Sequence, residues 1–274
     1  SGARLVAVAG GKGGVGTTSI AQITAWSIAE TLKQKTLLLD AAGSNSTLGV
    51  SYGLEPSASF SEAVRVGSSG SEDDLNRILQ KATDNLTMLI CGGDPVLGAR
   101  PDPDIVEAMV TRLMQKYPVI VIDLSGASRA VQQRMIALAA DVIMVTTPML
   151  TALRNTRTYL GEIKAMRSGL EEVDLLVNMQ GLAGGKEEVP IKDIEAALET
   201  DAAAKIAYTP KVFALSESTG KPVGASADAK DIMQQILPLA ERGAAVKHAG
   251  GKDEPDTKEE GPLSFLKKLT QKEK

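Results

Sequence analysis

Seven short runs of almost unbroken apolar residues punctuate the chain, at 5–9, 36–39, 86–90, 119–122, 142–146, 173–177 and 204–208. Most of the intervening stretches are of helical length and repeat their apolar residues every three or four positions. They predict helices at 17–33, 71–82, 103–116, 128–139, 150–167, 190–199 and 226–241. Continuous Val, Ile and Leu, rather than apolar–polar alternation, predicts parallel strands covered on both faces. The expected fold class is therefore α/β, a doubly wound, mostly parallel sheet with helices on both faces. Pro101, Pro103 and Pro190 fall near expected helix starts, where a missing N–H costs little. After Gly243 the chain turns to Gly, Lys, Asp, Glu and Pro as far as Gly261, too polar to build a core. The expected organisation is one folded domain over 1–243, a disordered linker over 244–262 and a short amphipathic tail over 263–274.

Composition narrows the chemistry. The 274 residues are 43% hydrophobic and carry a formal charge of -4, so there is no global basic field for nucleic acid, and DNA is an unlikely partner. Aromatic residues are only 3%, which argues against a base-stacking platform. One cysteine, Cys91, and one histidine, His248, leave few ligands for a zinc or iron–sulfur site and fit a reducing cytoplasm. No apolar run reaches the roughly 18 residues that span a bilayer, and no leader pattern precedes the first strand, so the expected location is cytoplasmic. Ser1-Gly2 has the look of an engineered remnant, and the abrupt start predicts upstream residues in a longer parent protein.

Directly after the first run comes Gly10-Gly11-Lys12-Gly13-Gly14-Val15-Gly16-Thr17-Thr18-Ser19, followed by a helical stretch with Ile20, Ile23 and Trp26 on neighbouring turns. Strand, glycine loop and helix in that order make an anion nest: glycines let successive N–H groups turn inward, and the helix adds the positive end of its dipole. Thr18 then offers a hydroxyl to a magnesium ion. The expected phosphate-binding residues are Gly11, Lys12, Gly13, Gly14, Val15, Gly16, Thr17, Thr18 and Ser19.

The segment from Lys12 to Thr18 resembles the deviant Walker A motif of the ParA/MinD superfamily of P-loop nucleotide-binding proteins. The resemblance implies ATP and Mg2+ as ligands, and a role for Lys12 as the early lysine that reaches the partner's phosphates in a homodimer. This chain departs from the motif at Thr17, where the family carries a second lysine. Losing such a charge-assisted contact costs about 1.5–3 kcal/mol, so nucleotide binding should be weakened without being lost. Asp40 fills the first of two aspartate positions after the second strand and is a candidate for catalysis or for holding magnesium through water. Ala42 occupies the second position, where relatives orient the attacking water. Asp123 fits the Walker B position, also through water, and Asp123-Leu124-Ser125-Gly126 resembles the γ-phosphate-sensing switch. By the same resemblance Asn178 and Pro210 frame the adenine, with turn chemistry as the competing account of Asn178.

Within the superfamily, three features resemble the CpaE/TadZ branch of tight-adherence pilus systems: a P-loop whose usual lysine is replaced, here by Thr17, the segment from Ala140 to Arg154, and Pro210-Lys211-Val212-Phe213 followed by Ser218-Thr219-Gly220-Lys221-Pro222. That resemblance implies pilus-assembly partners including a secretion ATPase, a polar location, and an upstream receiver-like domain. In the tail, Leu263, Phe265, Leu266 and Leu269 form one helical stripe beside Lys267, Lys268, Lys272 and Lys274, similar to the membrane-targeting end of MinD. The tail tethers the chain peripherally to the inner membrane through 263–269, docks a protein partner, or is a disordered charged end. The expected function is an ATP-binding scaffold with weak or absent hydrolysis; the alternative is an active switch ATPase of MinD or ParA type.

Overall fold

The computed structural model describes residues 2–41, 47–93 and 100–250. Its strands are β1 Arg4–Gly10, β2 Thr36–Asp40, β3 Ala58–Ser59, β4 Gln80–Lys81, β5 Leu86–Leu89, β6 Cys91–Gly92, β7 Val119–Asp123, β8 Asp141–Thr146, β9 Val173–Gln180 and β10 Ala202–Ala207. Its helices are α1 Thr17–Trp26, α2 Phe60–Ser69, α3 Glu72–Ile78, α4 Pro103–Leu113, α5 Arg129–Leu138, α6 Leu150–Arg167, α7 Ile191–Leu198, α8 Pro210–Thr219 and α9 Lys230–Ala244. A π-helical turn, Ser27–Thr31, prolongs α1.

Eight strands form one sheet in the order β10-β9-β8-β1-β7-β2-β5-β4. All neighbours run parallel except β4, which pairs antiparallel with β5. Every residue of β2, β7 and β8 is buried, which is why those runs read as continuously apolar. Successive side chains of β1 serve opposite faces. Leu5, Ala7 and Ala9 join the layer packed by α2, α4, α5, α6 and α7. Val6 and Val8 join the layer packed by α1 and α9.

The chain runs from β1 out to β2 and β5, returns to insert β7, then crosses to β8 on the other side of β1. In such a sheet the crevice at the carboxyl ends of the strands, where the order reverses, is the place for a ligand. Register puts Asp123 opposite both Val8 of β1 and Asp40 of β2, so two carboxylates end neighbouring strands at that edge. At the opposite edge Arg4 donates from Nε to the Gly243 carbonyl at 2.7 Å and pairs with Asp141 at 2.6 Å. This fastens the end of α9 to the start of β1.

Two helices go beyond the periodicity reading. Helix α2 is capped by Ser59, whose hydroxyl accepts from the Glu62 N–H. Helix α8 begins with Pro210 at its first turn and ends at Gly220, left-handed at φ 63°. Asn178 and Gln180 lie within β9 rather than beyond it.

Candidate functional site

The loop between β1 and α1 is shaped by two close approaches. A Cβ on Gly11 would sit 2.7 Å from the backbone nitrogen of Thr156, so α6 packs directly on the start of the loop. Gly16 has φ 89°, and a Cβ there would meet Asn178 Nδ2 at 2.5 Å. Only glycine fits both the conformation and the space. The Asn178 amide donates to the Val15 carbonyl at 2.9 Å, which ties the loop to β9. Helix α1 then starts at Thr17 with Gly16 as its cap and no acidic residue in its first turn, leaving its N–H groups free for an anion.

Thr18 is held from the end of β7, the strand beside β1. Its hydroxyl donates to Asp123 Oδ2 at 2.7 Å and lies 2.9 Å from the Ser125 hydroxyl, while the Ser125 N–H donates to Asp123 Oδ1 at 3.0 Å. Burial pushes the Asp123 carboxyl above its ordinary value, and the hydrogen bonds from Ser125 and Thr18 oppose that shift. Asp40 is fully buried and accepts from the Cys91 N–H at 3.1 Å. It stands behind the cleft wall, in register with Asp123, rather than on the wall itself.

Two clefts meet over this loop. The larger, about 580 Å³, is lined by Gly10, Gly11, Lys12, Gly13, Gly14, Gly16, Thr17, Thr18 and Ser19 on one side, with Ser125, Arg129, Gln132 and Tyr159 facing them. The smaller, about 300 Å³, is mostly apolar and lies between Asn178 and Met179 of β9 and Tyr208, Pro210 and Phe213. Gly16 and Ser19 line both, so the two form a continuous groove. Its halves match an anionic chain and a flat apolar ring joined end to end.

The structure places Lys12, Thr17, Thr18, Ser19, Asn178 and Pro210 along this groove, with Asp123 bonded to Thr18 at its base. Thr17 is buried, and its hydroxyl is the nearest atom, at 2.4 Å, to where a Cβ on Gly10 would stand. No cation enters the cleft from that position. Ala42 lies outside the described residues, as does the tail over 263–274. Arg129, Gln132, Tyr159 and the buttress Thr156 went unremarked in the sequence. They come from α5 and α6 and reach the site only through packing.

The donor set suits magnesium and nucleotide: a hydroxyl paired with a buried carboxylate, beside a glycine loop and the start of α1, which no side chain caps. Fold and groove together define a P-loop protein of the ParA/MinD superfamily. The family model described as cellulose biosynthesis protein BcsQ matches residues 3–160, more than half of the chain, and the protein belongs to that family. The matches do not single out the CpaE/TadZ branch. The septum site-determining protein MinD of Synechocystis sp. is 28% identical over 175 residues, and the match spans 64% of each chain. Among solved structures, a ParA family ATPase from Chlorobium tepidum superposes with a TM-score of 0.74 at 18% identity, covering 86% of this chain and 98% of that one. The Pyrococcus horikoshii MinD complexed with Mg-ADP gives 0.71 at 20% identity, covering 87% and 95%. Among the described residues no helix is long and apolar enough to cross a membrane.

Proposed function

We propose that this chain is an ATP-binding scaffold or positioning protein whose hydrolysis is weak or absent. One observation carries the reading: a glycine loop opens into the groove beside Thr18 and Asp123, paired 2.7 Å apart, yet the position of the loop lysine holds the buried, uncharged Thr17. Thr18 would hold magnesium directly, with Asp40 and Asp123 acting through water, and the metal would screen the phosphates' charge. Asn178 and Pro210 would flank the adenine ring. A protein that binds nucleotide but turns it over slowly stays in its bound form and suits assembly better than cycling.

In this reading nucleotide joins two copies, Lys12 reaches across to the partner's phosphates, and the dimer places envelope machinery at the inner membrane. Resemblance to CpaE/TadZ over 140–154 and 210–222 supports pilus-assembly partners, including a secretion ATPase. The BcsQ family match supports a second reading, in which the machinery is that of cellulose synthesis. The competing mechanism is a MinD- or ParA-type switch ATPase.

Equilibrium titration with ATP and magnesium, together with a turnover assay, tests the proposal. Thr17→Lys is expected to tighten ATP about ten-fold or more, and the parent's turnover to stay well below about 1 per second. Unchanged affinity in the variant would remove the argument from Thr17, and ordinary enzymatic turnover would establish the switch ATPase instead.

A further inference from the structure

The phosphate cleft lacks the cation that position 17 would supply, and its described wall carries two others, Lys12 and Arg129. Lys12 is exposed on the glycine loop. Arg129 stands on the facing wall as the first residue of α5, and its backbone is referenced to the loop by a short chain of contacts. Asp123 accepts from Thr18, the Leu124 N–H donates to the Val8 carbonyl at 3.0 Å, and the Ser128 hydroxyl caps α5 by accepting from the Val131 N–H. The base of this side chain is therefore fixed relative to the site where phosphates would lie.

Its far end is not committed. The guanidinium pairs with Glu162 of α6, with the two side chains 66% and 33% exposed. A water-exposed ion pair of this kind is worth about 0–1 kcal/mol, whereas guanidinium and phosphate make stronger, bidentate contacts. The wall behind it is neutral and already satisfied: the Tyr159 hydroxyl donates to Gln132 Oε1 at 2.5 Å, and Gln132 Nε2 donates to the Ala127 carbonyl at 2.8 Å. Arg129 is the charge this wall has to offer.

We propose that Arg129 is the phosphate-engaging cation that stands in for the missing lysine at position 17, and that Glu162 holds it while no phosphate is present. The inference deepens the nucleotide-binding reading and rests on it. Because the guanidinium would meet the outer phosphates, its contribution grows with the length of the phosphate chain. A merely structural role at the α5–α6 contact would not depend on that length.

The test is binding of ATP, ADP and AMP, each with magnesium, to the full chain and to Arg129→Ala, Arg129→Lys, Glu162→Gln and the double variant Thr17→Lys/Arg129→Ala. Arg129→Ala is expected to weaken ATP about ten-fold or more, ADP less, and AMP hardly at all. Arg129→Lys should recover part of the loss, Glu162→Gln should tighten ATP slightly, and the double variant should bind ATP close to the parent. If Arg129→Ala binds ATP like the parent, or weakens all three nucleotides equally, the proposal is overturned while the nucleotide reading stands. If the parent binds none of the three, both fall together.

Discussion

Asp123 ends β7 with no exposed surface, and burial raises its carboxyl above the ordinary range even though Thr18 and Ser125 donate to it. An acid whose pKa rises on folding binds protons more readily in the folded state. Its ionisation therefore costs stability, a cost absent at low pH that sets in as pH climbs from the unfolded value through the folded one. At neutral pH Asp123→Asn relieves that cost: its Oδ1 still accepts from the Ser125 N–H, and its Nδ2 donates to the Thr18 hydroxyl, which turns to donate to Ser125 Oγ. The variant should melt higher than the parent without ligand, by about 2–4 °C for each kilocalorie relieved, and the gain should shrink as pH falls toward 4. In the same variant, stabilisation by ATP with magnesium should diminish. Thermal midpoints with and without ligand, at both pH values, check the two effects; a variant that melts lower at neutral pH refutes the account.

Helix α6 acts on the site without presenting a motif to it. Its Thr156 backbone lies against Gly11, and its hydroxyl bonds to Thr146 Oγ1 at 2.9 Å and to the Ala152 carbonyl at 2.8 Å, so the helix, β8 and the loop form one block. Gly11→Ala puts a methyl within 2.7 Å of helix backbone, which cannot yield as a flexible side chain would. The variant should lose nucleotide binding and about 1–3 kcal/mol of stability, read by titration and denaturant unfolding; full ATP affinity would show that the loop adjusts freely. Such contacts mark the limit of what the chain's pattern discloses. The seven apolar runs appear as strands because parallel burial makes them uniformly apolar, and the loop, Thr18 and Asp123 were legible because strand, glycines and helix are consecutive. The two-residue strands β3, β4 and β6 have no periodicity to read. Helix α2 is masked by Gly67 and its closing serines, though Ser59 and Glu62 carried a capping signal. Helix α8, between Pro210 and Gly220, was read only as a base-binding loop. Arg129, Gln132 and Tyr159 belong to the site by tertiary packing alone.

For the molecule as a whole, the groove and the tail are joined by one expectation, that the nucleotide-linked dimer tethers more strongly than the single chain. Each stripe of Leu263, Phe265, Leu266 and Leu269 should bind lipid feebly, but two on one dimer gain roughly 10²–10⁴ in avidity. In co-sedimentation with anionic liposomes, the full chain should pellet better with ATP than without, and both a truncation after Gly243 and Phe265→Glu should abolish the difference. Equal pelleting of the truncated chain would assign the tail to a protein partner. The clasp at the other edge of the sheet bears on the same question. Arg4 joins the start of β1 to Gly243 and Asp141, and Arg242 pairs with Asp174 at 2.9 Å, so whatever precedes residue 4 and follows residue 244 is attached at one corner. Tension between two such attachments would load that corner alone and peel α9 from its end. Strand β1, roughly 23 Å long at about 3.3 Å per residue, would insulate the glycine loop from the pull.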